Sequence, residues 1–201
     1  EILSNDRIHN VTIHTVNEKI DGGAVIFQKS SLLPKSITIP KEILEFDEEV
    51  TKKYYKEFII KLLKKKKLKK NYSQQCVGNY NYALNTLKHG FIDWNNDSRN
   101  LYNFISAFDD PYKGASTYNT KYRGKLYLKK VQIHQGELMI HPFSSGMVIR
   151  HDKKWLVVNT INQGSLIIEE VLDAKGKNVM SKIKSGSKFF VPLKYLNFYK
   201  K

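Results

Sequence analysis

The chain holds a single cysteine in 201 residues, Cys76. No internal disulfide and no multi-cysteine zinc site can form, a reducing compartment fits, and the lone thiol reads as structural. Long apolar runs are missing too. No stretch approaches the roughly 18 residues a membrane span needs, and Glu1-Ile2-Leu3-Ser4-Asn5-Asp6 has neither the basic start nor the apolar core of a signal peptide. The expectation is a soluble, cytoplasmic protein. Arginine is scarce: of 34 basic residues only Arg7, Arg99, Arg123 and Arg150 carry the guanidinium favoured for bidentate phosphate and base contacts. The net charge of +15 is therefore carried by lysine, and among many Asn, Ile and Tyr residues it reads more as compositional bias than as a face built for nucleic acid. No G-x-G-x-x-G or Walker loop is present. His141 and His151, near Ser144-Ser145-Gly146, lack metal-ligand spacing.

With 41% hydrophobic residues the chain can bury one sizeable core or two small ones. Val11-Thr12-Ile13-His14, six residues, then Asp21-Gly22-Gly23-Ala24-Val25-Ile26 reads as strand, loop, carboxylate, strand, with the two glycines allowing a close backbone turn. From Val11 to Ile39 apolar runs alternate with breakers at Gly22-Gly23, Pro34 and Pro40, which predicts short strands and loops. A helix follows, with Asp47, Glu48 and Glu49 expected in its first turn. Val50, Tyr54, Phe58 and Leu62 form one stripe, and Tyr55, Ile59 and Leu63 an adjoining one. Lys64 to Lys70 close it with charge the helix dipole favours, and read as a solvated end.

From Asn71 to Gly90 the periodicity fades into a polar linker. Phe91-Ile92-Asp93-Trp94 then reads as a short extended piece, and Asp97 as the cap of a helix with Leu101, Phe104, Ile105 and Phe108 on one face. Asp109-Asp110-Pro111 ends that helix. The remainder reads as β, with strands over 115–119, 125–133, 137–140, 147–150, 154–160, 165–172 and 188–191, which predicts a small antiparallel barrel.

These residues carry a resemblance. Val11-Thr12-Ile13-His14 with Ile20-Asp21-Gly22-Gly23-Ala24-Val25-Ile26 resembles the "GVTIH, then LDxG" signature that closes the catalytic domain of 10-formyltetrahydrofolate-dependent formyltransferases. Phe91-Ile92-Asp93-Trp94, Asn103-Phe104-Ile105-Ser106-Ala107-Phe108 and Asp110-Pro111-Tyr112-Lys113-Gly114-Ala115 resemble the "IDW…NxIRAFxxPYPGA" that opens the family's C-terminal barrel. The resemblance implies an α/β-plus-β protein of three parts. Residues 1–70 would be the C-terminal remnant of a Rossmann-like catalytic domain, 71–90 a linker, and 91–201 an OB-like antiparallel β-barrel.

It also implies formyl transfer from 10-formyltetrahydrofolate to an amine. Asp21 matches the acid that orients a catalytic histidine, and Val16, Asn17, Glu18, Lys19 and Ile20 match backbone lining the pterin pocket. The chemistry is sound: a carboxylate beside an imidazole raises its basicity, and amide or imidazolium donors stabilise an oxyanion. The family's Asn-x-His, running into Ser-Leu-Leu-Pro, has no counterpart here. Ser31-Leu32-Leu33-Pro34 follows Asp21 and lacks the Asn and His, so it reads as a strand-and-turn coincidence. The chain is thus expected to begin inside the catalytic domain and to have little activity alone. Asn10 stands where the family usually has Gly, and Lys113 where it usually has Pro.

The expected acceptor is a nucleotide-linked amino sugar, with methionyl-tRNA the alternative. A barrel that binds nucleic acid without catalysis, through its lysines and Tyr118, Tyr122 and Tyr127, is the reading from a different class. His14 could face the site but reads as structural, and Asp93-Trp94 reads as a domain-packing element.

Overall fold

The computed structural model describes residues 2–20, 22–64, 68, 84–135, 141–162 and 164–196. They form two compact units, each described by itself below.

The first unit is a hairpin with a long helix. Strand β1 (Ile8–His14) pairs antiparallel with β2 (Val25–Leu32), from Ile8 opposite Leu32 to His14 opposite Val25, with the register shifting beside His14. One hairpin face carries Val11 and Phe27 against Tyr54 and Phe58 of helix α1 (Pro40–Leu63). The other presents Asn10, Thr12, Gln28 and Ser30 to solvent, as the period of two requires. Polar pairs fix the packing: His9 Nε2 lies 2.9 Å from Asp47, Lys29 donates to Glu57 at 2.7 Å, and Ser31 shares a 2.6 Å hydrogen bond with the Tyr54 hydroxyl. Helix α1 starts at Pro40, not near Asp47. Proline was read as a breaker, but at the first helical position its missing N–H costs nothing and its fixed φ suits the helix; Glu42 is then the acid of the first turn. Of the expected stripes, Tyr54 and Phe58 are buried and Val50 and Ile59 pack beside them, while Tyr55 and Leu63 are exposed.

The second unit holds the short helix α2 (Thr86–His89), α3 (Ser98–Ala107) and six strands: β3 (Ala115–Asn119), β4 (Tyr122–His134), β5 (Val148–His151), β6 (Leu156–Asn159), β7 (Ser165–Leu172) and β8 (Phe189–Phe190). Asn85 caps α2, accepting from Leu87 and Lys88 N–H, so part of the stretch read as linker is helical. Asp97 caps α3, as expected, accepting from Asn100 N–H at 2.7 Å.

The strands are antiparallel in the order β5-β6-β7-β4-β3-β8. The sheet curls until its ends meet: Val148 N–H donates to Ser187 O, Gly186 N–H to Val148 O and Phe189 N–H to Gly146 O, at 2.7–2.9 Å. These bonds tie the start of β5 to the segment that leads into β8, so the curled sheet forms a half-barrel. Inside lie Leu126, Leu128, Val148, Leu156, Val158, Leu166, Ile168 and Phe189, with Leu101, Ile105 and Phe108 packed on them. Each such side chain contributes about 1.5–3 kcal/mol relative to exposure. The strand expected over 137–140 lies outside the described residues, as do Cys76 and most of Lys64 to Lys70. Among the described residues no helix is long and apolar enough to cross a membrane.

Candidate functional site

Strand β1 ends at His14 and hands the chain to a ten-residue excursion that returns through Ala24. Thr15 N–H donates to Ala24 O at 2.9 Å, and Ala24 N–H donates back to the Thr15 hydroxyl at 2.9 Å. Gly23 makes this closure possible. A Cβ built there would sit 1.5 Å from Thr15 O, so only a bare backbone can pass. Within the loop, Asn17 acts as the organiser: its Oδ1 accepts from Lys19 N–H at 3.0 Å and its Nδ2 donates to Gly22 O at 2.7 Å. Val16 and Ile20 are consequently turned out, 94% and 97% exposed.

Of the expected site residues, Val16, Asn17, Glu18, Lys19 and Ile20 lie on this one loop, and all are exposed. Asp21 lies outside the described residues. His14 is half-buried, with Nδ1 3.0 Å from Thr15 O at the foot of the loop. Two nearly fully exposed aliphatic side chains thus stand on a loop tied at its foot by Thr15 and Ala24. Ser31-Leu32-Leu33-Pro34 forms the end of β2 and the turn after it, with Leu33 buried and its N–H bonded to Arg7 O.

In the Phe91–Trp94 segment of the second unit, Phe91 bridges Ser116 in parallel, and the chain turns at Trp94. Trp94 is a barrel-core residue: it is buried, stacks on Phe189 at 5.7 Å and donates its indole N–H to the Thr117 hydroxyl at 3.0 Å. Asp93 turns its carboxylate to the backbone and side chain of Asn95. A cavity of about 350 Å³ opens beside the segment, lined by Leu3, Phe91, Asp93, Asn96, Asn100, Leu101 and Phe104.

Asp109 and Asp110 do more than end α3. Asp109 is buried and accepts from the N–H groups of Asp110 and Lys130, each at 2.7 Å. The buried Lys129 ammonium lies 3.5 Å from Asp109 and hydrogen-bonds Asp110. The Lys129 hydrogen bond outweighs burial and holds the Asp110 carboxyl below the usual range. Burial alone would push Lys129 down, but the Asp110 hydrogen bond and the two acid charges prevail, and its pKa stands above the ordinary lysine value. Sequence reasoning missed Lys129. The signal available was a lysine between the apolar residues of a core strand, a position that demands a buried acid. Gly114, at φ +111° and tight against Leu128 O, completes the corner.

His141 accepts from Phe143 N–H to start a short turn of helix, and His151 ends β5 exposed to solvent. Among the described residues no group of three His, Cys, Asp or Glu could hold a metal.

A curled antiparallel half-barrel preceded by a Phe-Ile-Asp-Trp segment, a capped helix and an Asp-Pro-Tyr-Lys-Gly corner defines a recognisable class. Residues 86–186 match the family model for the C-terminal domain of formyl transferases, and the chain belongs to that family. Among individual proteins it is similar to the bifunctional polymyxin resistance protein ArnA of Wigglesworthia glossinidia brevipalpis, 25% identical over 202 residues, covering 90% of this chain and 28% of ArnA. Similar solved structures include HypX from Aquifex aeolicus in complex with tetrahydrofolic acid, with TM-score 0.58, 18% identity, and 88% of this chain and 29% of HypX covered. Another is the N-formyltransferase from Helicobacter canadensis in complex with folinic acid and dTDP-3-aminofucose, with TM-score 0.57, 15% identity, and 84% and 58% covered. The chain therefore spans between roughly a quarter and three-fifths of the length of these relatives.

Proposed function

We propose that this chain is part of an enzyme that moves a formyl group from 10-formyltetrahydrofolate to an amine, with a nucleotide-linked amino sugar as acceptor. In this reading residues 1–70 are the C-terminal part of the catalytic domain, 71–90 the connection, and 91–201 the family's barrel. The observation that carries it is the loop closed by Gly23: exposed Val16 and Ile20 beside a backbone tied by Asn17, in the same chain as a barrel matching the formyl transferase model. The folate complexes of similar proteins support the donor, and the aminofucose complex supports the acceptor class.

The donor brings an activated formyl carbon. The residues of this chain would position it: Val16 and Ile20 cover the ring, and the loop backbone from Asn17 to Lys19 meets its polar edge. Asp21 holds an imidazole in the tautomer that takes the proton from the attacking amine. The amine lone pair forms the new C–N bond, the bond to the folate nitrogen breaks, and the proton leaves to that nitrogen.

In the protein containing this chain, Asp21→Asn is expected to lower formyl transfer to a dTDP-linked amino sugar by about 100-fold or more, as loss of an orienting acid does. Folinic-acid affinity should change little. An unchanged rate removes Asp21 from the mechanism. Formylation of methionyl-tRNA in preference to any amino sugar replaces the acceptor.

A further inference from the structure

The Phe91–Trp94 segment carries one acid that neither the core nor the loop chemistry uses. Trp94 is explained by its place in the barrel core, but Asp93 is not. It is half-buried and lines the cavity of about 350 Å³ together with Asn96, Asn100, Leu101 and Phe104. All the lining residues belong to the second compact unit. The volume falls at the small end of ligand cavities, which run from about 300 to 1,000 Å³. Much of the wall is apolar: Leu101 is buried and Phe104 packs on the barrel core.

The polar side chains around it have already committed their donors. Asn96 Nδ2 donates to Asp93 O at 3.0 Å, Asn100 Nδ2 to Asp97 Oδ2 at 3.1 Å and Asn95 Nδ2 to Asp93 Oδ1 at 3.0 Å. Each partner is a carbonyl or carboxylate oxygen, which only accepts, so in each case the amide nitrogen is the atom turned to it. What these side chains have left is oxygen. Asp93 Oδ1 also takes the Asn95 N–H at 3.0 Å. Among the described residues, Asp93 Oδ2, Asn96 Oδ1 and Asn100 Oδ1 accept from nothing. Three acceptors on one cavity, one of them part of a carboxylate, are thus open to donors. No described lining residue is a cation: Arg99 stands over the Tyr102 ring at 5.9 Å and Lys125 over that of Phe91 at 4.3 Å, and neither lines the cavity.

We propose that this cavity binds a primary ammonium ion carried on a compact apolar body. An ammonium group brings three N–H donors and no acceptor, the complement of three open oxygens. Its charge meets the Asp93 carboxylate, and a hydrogen bond between charged groups is about twice as strong as a neutral one. Phenylalanine rings in the wall favour a cation as well. An alcohol of the same shape has one donor and no charge, so it leaves two oxygens unanswered and the carboxylate unpaired. The proposal concerns the second unit alone and rests on no part of the formyl-transfer reading.

The test follows the backbone amide shifts of the 201-residue chain by NMR as cyclohexylammonium is added near neutral pH, with cyclohexanol as the neutral counterpart. Saturable shifts are expected at Asn96, Asn100 and Phe104, with cyclohexanol binding at least about tenfold more weakly. Asp93→Asn keeps Oδ1 for the Asn95 N–H and turns only the open oxygen into a donor. It should weaken cyclohexylammonium by about tenfold or more. Asp152→Asn, which removes an acid from the exposed turn after β5, should leave the affinity unchanged. The two probes on the parent chain test the proposal even if the Asp93 variant does not fold. Absence of saturable shifts up to about 10 mM cyclohexylammonium overturns it. So does cyclohexanol binding as tightly as the ammonium ion, which would make the cavity an apolar hollow. An Asp93→Asn affinity within about twofold of the parent, or an equal loss on Asp152→Asn, which would reduce the binding to net charge, also overturns it.

Discussion

Removing the cation from the buried cluster at the α3–β4 corner is the sharpest test of how the barrel is held. Lys129→Met keeps the volume of the aliphatic stem and deletes only the charge. The Asp109 side chain, 3% exposed, then loses its ammonium partner, whereas Asp110, 46% exposed, is rescued by water. Breaking a buried pair from one side costs about 3–5 kcal/mol. Asp109 retains two backbone N–H donors at 2.7 Å, which places this case at the low end, about 3 kcal/mol, or a Tm lower by about 12 °C.

Both tryptophans of the chain, Trp94 and Trp155, lie in the second unit, so urea unfolding followed by tryptophan fluorescence reads the barrel alone. Asp109→Asn combined with Lys129→Met should recover more than half of the loss, because no charge is then stranded. A single-variant loss below about 1 kcal/mol, or a double variant no better than the single, refutes the reasoning. The pH dependence follows from the signs. The Asp110 pKa is depressed on folding, so its contribution is present above the unfolded value near 4 and lost as pH falls through the lower folded value. The Lys129 pKa is raised, so its contribution is present below about pH 10.4 and lost as pH rises through the higher folded value. The stability difference between parent and Lys129→Met should thus be flat from about pH 5 to 9 and shrink on either side.

Gly23→Ala places a methyl group 1.5 Å from Thr15 O; backbone has to move, and the hairpin unit should lose about 3 kcal/mol or more, read by hydrogen exchange of the Thr15 and Ala24 amides. Asp97→Ala removes the 2.7 Å cap on Asn100 N–H and should cost about 1 kcal/mol in urea unfolding, with Asp97→Ser recovering most of it. Burial, and then the Tyr195 hydrogen bond, push the Tyr118 phenol up to about 12. Ultraviolet titration of phenolate formation should show Tyr118 ionising late, beside Tyr127, which burial also pushes up, and Tyr195→Phe should move the Tyr118 step to lower pH. Since the folded pKa is raised, this group's contribution to stability is lost as pH rises from about 10 through that value.

The barrel was legible because its strands alternate and its turns carry glycine and asparagine in register with them; the span expected at 165–172 is the strand observed, Ser165–Leu172. The Asp97 cap was legible for the same local reason. Two readings fell short where a residue type has two uses. Pro40 reads as a breaker and is the first residue of α1; Asp109 does follow the end of α3, as expected, and is also half of a buried ion pair. Nothing near Asp109 in the sequence names Lys129, twenty residues away, as its partner. Pairing across that distance is set by the β4 path, which only the folded sheet supplies.

The positions that carry the family pattern differ in what forces them. Gly23 and Gly114 are dictated by backbone: one by a carbonyl 1.5 Å from any Cβ, the other by φ +111° against Leu128 O. Trp94 and Phe108 are dictated by the core. A fold of this kind would keep those residues whether or not it catalysed anything, so their presence identifies the architecture. Asp21 is a different case: the loop closure runs through Thr15, Asn17 and Ala24, and the role proposed for its carboxylate is chemical. The rate of Asp21→Asn in the protein containing this chain, measured beside that of a Gly23→Ala variant whose loop is displaced, therefore separates a formyltransferase site from an inherited scaffold. A fall with Gly23→Ala and none with Asp21→Asn means that the loop matters to the enzyme and the acid does not.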